Sequence, residues 1–161
     1  MSAVRVIGID PGTHGAVAVL DGVDLVFVAD LPTRKQGKGG AASSQMICPH
    51  ALAKMLKPYA QPGTSVALEV AIVKPPMKLV SARTVGLNYG IILAVLAGLE
   101  LGVVELAQHD WKKRMSLSDD KTASVSMATT LFPRAREQLA RHDRAEAALI
   151  ARAGMLEITG R

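Results

Sequence analysis

The chain reads as an α/β domain, a mixed sheet of five strands with helices on both faces. Three observations predict it. Three short β-type runs open the sequence: Val4 to Ile9, Gly15 to Leu20 and Asp24 to Ala29. Two further runs, Ser65 to Val70 and Val103 to Ala107, are set apart by helical stretches. The second and third runs flank Asp21-Gly22, a strong hairpin signal. Strands that alternate with helices form a sheet covered by those helices, while the opening three form an antiparallel unit.

Each element has a local reason. The first run ends in Asp10-Pro11-Gly12, where Pro and Gly force a turn. Leu31 to Ser44 is polar, Gly-rich and basic, and reads as a loop. Gln45 to Lys57 reads as a short helix stopped by Pro58. Ser65 to Val70 is the fourth strand. Ile72 to Leu79 contains Pro75-Pro76 and must be irregular. A long helix covers Ser81 to Leu99, and its Gly86, Gly90 and Ala94, spaced four apart, permit close helix contact. Val103 to Ala107 is the fifth strand, and Asp110 to Met115 a short helical turn. Ser118 reads as an N-cap, with Asp119 and Asp120 in the first turn of a helix that runs to Phe132-Pro133. Asp143 to Gly154 forms the closing helix. No repeat, linker or low-complexity tract interrupts residues 1–161, which read as a single domain.

The composition narrows the function. With 161 residues, 49% of them hydrophobic, the chain is large enough to bury a core. A formal net charge of +5 favours a polyanionic partner. Cys48 is the one cysteine, which excludes an intramolecular disulfide and fits a reducing cytoplasm. Arg5 and Asp10 within the first apolar run do not suit a signal peptide. The uncharged run from Thr84 to Leu99 is short for a membrane span and contains Asn88, so a buried or interface helix is expected and no membrane partner.

Glu69 is the most informative single residue. It is the one acid between Leu31 and Leu99, a stretch holding Arg34, Lys35, Lys38, Lys54, Lys57, Lys74, Lys78 and Arg83. It ends the apolar strand Ser65-Val-Ala-Leu68. Asp10 ends the first strand in the same way. Asp143 and Glu146, three apart, share a helix face. The four carboxylates converge if the first and fourth strands are neighbours and the last helix crosses them. Such a set suits Mg²⁺, which keeps positions open for water and phosphate oxygens. Two ions can stabilise both the attacking and the leaving oxygen of an in-line displacement. Taken singly, each acid has a plainer reading: Asp10 as a turn residue, Glu69 as an ion-pair partner, Asp143 and Glu146 as acids favoured by a helix N-terminus. His142, beside Asp143, is either a proton shuttle or a capping residue.

The basic residues form three groups. Lys112, Lys113 and Arg114 follow Trp111, and Lys121 opens the next helix. Lys74, Lys78 and Arg83 flank the irregular segment after Glu69. Arg34, Lys35 and Lys38 lie on the Gly-rich loop. Each group can line a phosphate path or be a solvated face. Trp111 can stack on a base or anchor the core.

These motifs resemble the RuvC family of Holliday-junction resolvases, in the RNase H-like superfamily, and its phage-type members most. The resemblance spans nearly the whole chain. Gly8-Ile-Asp10-Pro-Gly12 is similar to the family's opening strand and first catalytic acid, and Val66-Ala-Leu-Glu69 to the strand bearing the second. Asp110-Trp-Lys-Lys113, Leu117-Ser-Asp-Asp-Lys121 and Leu131-Phe-Pro133 resemble the stretch supplying lysines near the active site. Asp143-Arg-Ala-Glu146-Ala-Ala-Leu-Ile-Ala151 resembles the closing Asp-x-x-Asp helix, with Glu in the last position.

The resemblance implies an RNase H-like fold and a homodimer on a four-way DNA junction. Each subunit would nick one strand, leaving 5′-phosphate and 3′-hydroxyl ends. Asp10, Glu69, Asp143 and Glu146 would hold two Mg²⁺ ions, with Mn²⁺ able to substitute, and Lys112 or Lys121 would stabilise developing charge. The helix from Ser81 to Leu99 would join the dimer interface. Bacterial members carry an aromatic wedge shortly after the second acid; here Val70, Ala71 and Ile72 stand there. Met77 is the candidate substitute, and a broader taste for branched DNA is expected, three-way junctions and flaps included. The alternatives are a catalytically silent branched-DNA-binding protein on the same fold, or a related nuclease acting on structured RNA. An actin-like ATPase would share Asp10-Pro-Gly-Thr13-His-Gly15 but needs over twice the length.

Overall fold

The computed structural model describes residues 4–12, 14–36 and 44–160. Among these residues, seven strands and five α-helices follow in the order β1 (Arg5–Asp10), β2 (Ala16–Asp21), β3 (Asp24–Asp30), β4 (Thr33–Gln36), β5 (Ser44–Ile47), α1 (Pro49–Leu56), β6 (Ser65–Glu69), α2 (Leu79–Gly98), β7 (Gly102–Leu106), α3 (Gln108–Arg114), α4 (Lys121–Leu131) and α5 (His142–Thr159). The main sheet has five strands in the order β3-β2-β1-β6-β7. The β1-β2 and β2-β3 pairs are antiparallel, while β6 runs parallel to both β1 and β7. The mixed five-stranded sheet and its antiparallel opening are as the sequence predicts.

Both faces are covered, which is why β1 reads as a nearly continuous apolar run. Alternate residues go to opposite cores. Val6, Ala18 and Ala67 pack with α5, Trp111 and Ala128. Ile7, Ile9, Val66 and Leu68 pack with Leu52 and Leu56 of α1 and with Ile92 and Leu96 of α2. By the same parity Asp10 and Glu69 belong to the α5 face.

Helix α5 lies very close to the sheet. A Cβ added at Gly8 would stand 2.3 Å from the Ala147 carbonyl oxygen, and one at Gly154 would stand 2.3 Å from the Ala67 Cβ. Glycine at these two positions lets helix and sheet backbones approach, so the first turn of α5 is set down near the strand ends.

Four elements depart from expectation. The segment read as a loop contains β4, which pairs antiparallel with β5 in a separate ribbon; Lys38 lies outside the described residues. Gln45 to Ile47 are accordingly strand, and α1 starts at Pro49, where proline's fixed φ suits a first helical turn. The ribbon is invisible to pattern because Arg34 and Lys35 lack strand-type alternation. It is held from outside, by Asn88 of α2, whose side chain accepts from the Ile47 N–H at 3.0 Å and donates to the Gln45 carbonyl at 3.0 Å. The cap of α4 is Asp120 rather than Ser118: its carboxylate accepts from the Thr122 N–H at 2.9 Å, so Asp119 and Asp120 precede the helix. Helix α5 continues to Thr159 and stops at Gly160 in the left-handed region.

Helix α2 has the length and hydropathy of a membrane span, with a mean hydropathy of 1.6 over its most apolar window. Its Thr84, Asn88, Ile92 and Leu96 nevertheless form one buried stripe, four residues apart, against the body of the domain. The opposite side is open: Leu79 is 85% exposed, Leu87 is exposed, and a Cβ at Gly86 or Gly90 would meet nothing within 4 Å.

Candidate active site

Strand register brings the first two acids together. Ile9 of β1 pairs with Leu68 of β6, so Asp10 and Glu69 are the next residues of adjacent parallel strands. Both point to the α5 face. Asp143 and Glu146 come from the first turns of α5, one helical turn apart. Asp10 is coupled to the charges of Glu69, Glu146 and Asp143, so the four carboxylates lie near one end of the sheet.

The electrostatics record that meeting. Asp10 is buried, and burial drives its pKa from an ordinary 3.8 up to about 7. The Gly12 N–H, donating to Asp10 Oδ1 at 2.9 Å, opposes the shift, while the charges of Glu69, Glu146 and Asp143 add to it. Glu69 is also raised, first by burial and then by Glu146, against lowering contributions from the Trp111 hydrogen bond and the Lys112 charge.

Helix α3 supplies neighbours to two of the acids. Trp111 Nε1 donates to Glu69 Oε2 at 2.6 Å. Lys112 Nζ lies 3.2 Å from Glu146 Oε1, 4.0 Å from Asp119 Oδ1 and 5.5 Å from the centre of the Trp111 ring. Ser124 of α4 donates to the same Glu146 oxygen at 3.2 Å. His142 Nε2 also lies 3.2 Å from it, but without hydrogen-bond alignment, and is buried with no other partner among the described residues. Nothing in the sequence singles out Ser124, a serine in the middle of a helix.

The other predicted residues divide. Trp111 is 1% exposed, so it cannot stack on a base; its indole is core, and only its N–H faces the site. Lys112 is likewise buried against Glu146 rather than on a phosphate-facing surface. Lys121 is exposed on the first turn of α4. Arg114 forms an ion pair with Glu157. Lys74, Lys78, Arg83 and Lys113 are exposed, as are Arg34 and Lys35 on β4. A cleft of about 390 Å³ opens beside Asp10 and Glu69. Val70, Ala71, Ile72 and Met77 line it with Lys74.

Among the described residues, no three Asp, Glu, His or Cys groups are arranged as a preformed metal cage. The donor chemistry still fits a divalent cation. Mg²⁺ is commonly held by one or two carboxylates, water and substrate phosphate rather than by a protein cage. Asp10 Oδ2, Glu69 Oε1 and Glu146 Oε2 accept no hydrogen bond from the described residues. A buried carboxylate raised to about 7 beside three others is a group that a cation would relieve.

No protein-family model matches the chain, and no curated protein does. Solved structures do. The chain is similar to Thermus thermophilus RuvC in complex with a Holliday junction substrate, at 16% identity and a TM-score of 0.68, over 97% of this chain and 96% of that one. It is also similar to a Thermus thermophilus RuvC structure, at 17% identity and a TM-score of 0.59, with the same coverage. The fold is the RNase H-like α/β fold of RuvC, matched over almost its full length.

Proposed function

We propose that this protein is a metal-dependent endodeoxyribonuclease of the phage-type resolvase kind, which cuts four-way junctions and other branched DNA. The observation that carries the reading is the meeting of Asp10 and Glu69, on adjacent strand ends, with the acidic first turns of α5 beside an open cleft. The fold shared with a protein solved on a Holliday junction supports it.

Asp10, Glu69, Asp143 and Glu146 would hold one or two Mg²⁺ ions, or Mn²⁺. Bound there, the metal supplies Lewis acidity toward a phosphate oxygen and a water of lowered pKa. The chain's own residues do the rest. Asp10 is fixed by the Gly12 N–H. Lys112 keeps an ammonium inside the acid cluster, which moderates its repulsion of a phosphodiester. Lys74 in the cleft, with the exposed Lys78, Arg83 and Lys113, offers cations to the DNA backbone. Hydrolysis would leave 5′-phosphate and 3′-hydroxyl ends.

Paired nicks need two active sites. We assign the open side of α2, with Leu79, Leu87, Gly86 and Gly90, to a homodimer interface, because this apolar face is otherwise left in water. The bacterial cytoplasm, where a single free cysteine such as Cys48 stays reduced, suits this activity.

The test is cleavage of a synthetic four-way junction in Mg²⁺, wild type beside Asp10→Asn, with a gel shift in EDTA. Paired symmetric nicks from the wild type, and binding without cutting by the variant, are expected. Binding by both and cutting by neither, in Mg²⁺ or Mn²⁺, would overturn the nuclease reading for this substrate and turn attention to structured RNA.

A further inference from the structure

Consecutive residues of α3 treat two of the acids differently. Lys112 meets Glu146 with a full positive charge, 3.2 Å away. Trp111 meets Glu69 with a neutral N–H at 2.6 Å, a short bond to a charged acceptor. The chemical contrast matters. An ammonium or guanidinium on Glu69 would compete with any cation for that carboxylate. An indole N–H fixes the rotamer of the carboxylate and leaves its negative charge and its Oε1 oxygen free. The indole itself is rigidly placed, buried among Leu106, Ala128 and other core residues, so it directs one oxygen of Glu69 without moving.

We propose that Trp111 is a positioning residue for the cation site: its N–H holds Glu69 in the orientation in which the remaining oxygen can ligate. The proposal rests on the metal-dependent reading above. Partners of this kind around metal ligands change metal affinity by roughly 10- to 100-fold when removed. The same arrangement makes Trp111, the one tryptophan of the chain, a built-in reporter of what happens at Glu69.

The experiment is a pair of MgCl₂ titrations of the full chain without DNA, one by calorimetry and one by tryptophan emission. Wild type should bind Mg²⁺, and its emission should change saturably with the calorimetric midpoint. Trp111→Phe keeps an aromatic ring in the core but loses the donor, along with part of the indole's bulk; its Mg²⁺ dissociation constant should rise by about 10- to 100-fold. The metal concentration for half-maximal junction cleavage should rise in parallel, with the maximal rate at saturating metal largely retained. A purely structural role would leave the affinity of the folded variant unchanged, and that result overturns the proposal. If Trp111→Phe does not fold by circular dichroism, the wild-type emission decides: bound Mg²⁺ with silent emission overturns it as well. Absence of any Mg²⁺ binding by the wild type is a different result, because it removes the metal-dependent reading itself.

Discussion

Asp10 should make the metal-free protein lose stability as pH rises. The native carboxyl titrates at about 7, against 3.8 for the same group in an unfolded chain. The unfolded state therefore gives up its proton first, and ionisation favours unfolding throughout the interval between the two values. The stabilisation that neutral Asp10 provides is fully present below pH 3.8 and is lost as pH rises to about 7. At 1.36 kcal/mol per unit, the full span amounts to about 4 kcal/mol, of which about 2 kcal/mol falls between pH 5.5 and pH 8. Asp10→Asn removes the titration while keeping an oxygen that can accept from the Gly12 N–H. Urea unfolding in EDTA at pH 5.5 and at pH 8 reads the difference. The stability of the variant relative to wild type should grow by about 2 kcal/mol between the two pH values. Mg²⁺ should stabilise wild type at pH 8 and leave the variant nearly unaffected, because a ligand that binds only the native state shifts the equilibrium by mass action. A constant difference between wild type and variant across the two pH values would refute the argument, since it would mean that Asp10 is not held neutral by its surroundings.

Three further outcomes are expected. Gly8→Ala places a methyl 2.3 Å from the Ala147 carbonyl, so α5 must shift; a loss of about 1–3 kcal/mol or more should appear in urea unfolding, with reduced cleavage because Asp143 and Glu146 ride on that helix. Leu87→Glu on the open side of α2 should convert the proposed dimer to a monomer by sedimentation velocity, at no cost to the domain's own core, and a sedimentation coefficient unchanged from wild type would count against that interface. The cleft wall of Val70, Ala71, Ile72 and Met77 carries no aromatic side chain, so three-way junctions, flaps and four-way junctions should be cut at comparable rates; cutting confined to four-way junctions at one short sequence would contradict this.

The sequence carries the main sheet because its signals are local. The glycine of Asp21-Gly22 marks the hairpin, whose turn is Gly22-Val23 with Gly22 at φ 59°, and doubly buried strands show as apolar runs at β1 and β6. The acids are legible for a related reason: a lone carboxylate at the end of a buried strand, as at Asp10 and Glu69, is costly and needs a purpose. What stays hidden is tertiary. The β4-β5 ribbon depends on Asn88, more than forty positions away from Gln45 and Ile47 in the chain. Trp111 carries two signals at once, an apolar body and a single donor, and the sequence cannot say which faces outward. Ser124 gains its role only because α4 packs on α5 and presents its hydroxyl to Glu146.

The charge balance of the cluster argues against a binding-only role. Four carboxylates faced by one ammonium, that of Lys112, leave three negative charges uncompensated when all are ionised. A phosphodiester brought to that surface adds to the repulsion, and a module that only bound DNA would gain by replacing these acids with neutral groups. Burying them is costly too: burial pushes the Asp10 pKa up to about 7. The fold accepts that cost at the ends of β1 and β6, where α5, drawn close to the sheet by glycine at Gly8 and Gly154, lays its first turns. Two divalent cations would reverse the sign of the balance, where one would leave a single negative charge, and would turn a site that repels phosphate into one that attracts it. The same acids that weaken the metal-free domain at neutral pH thus account for why a metal-loaded one would bind and cut a phosphodiester there.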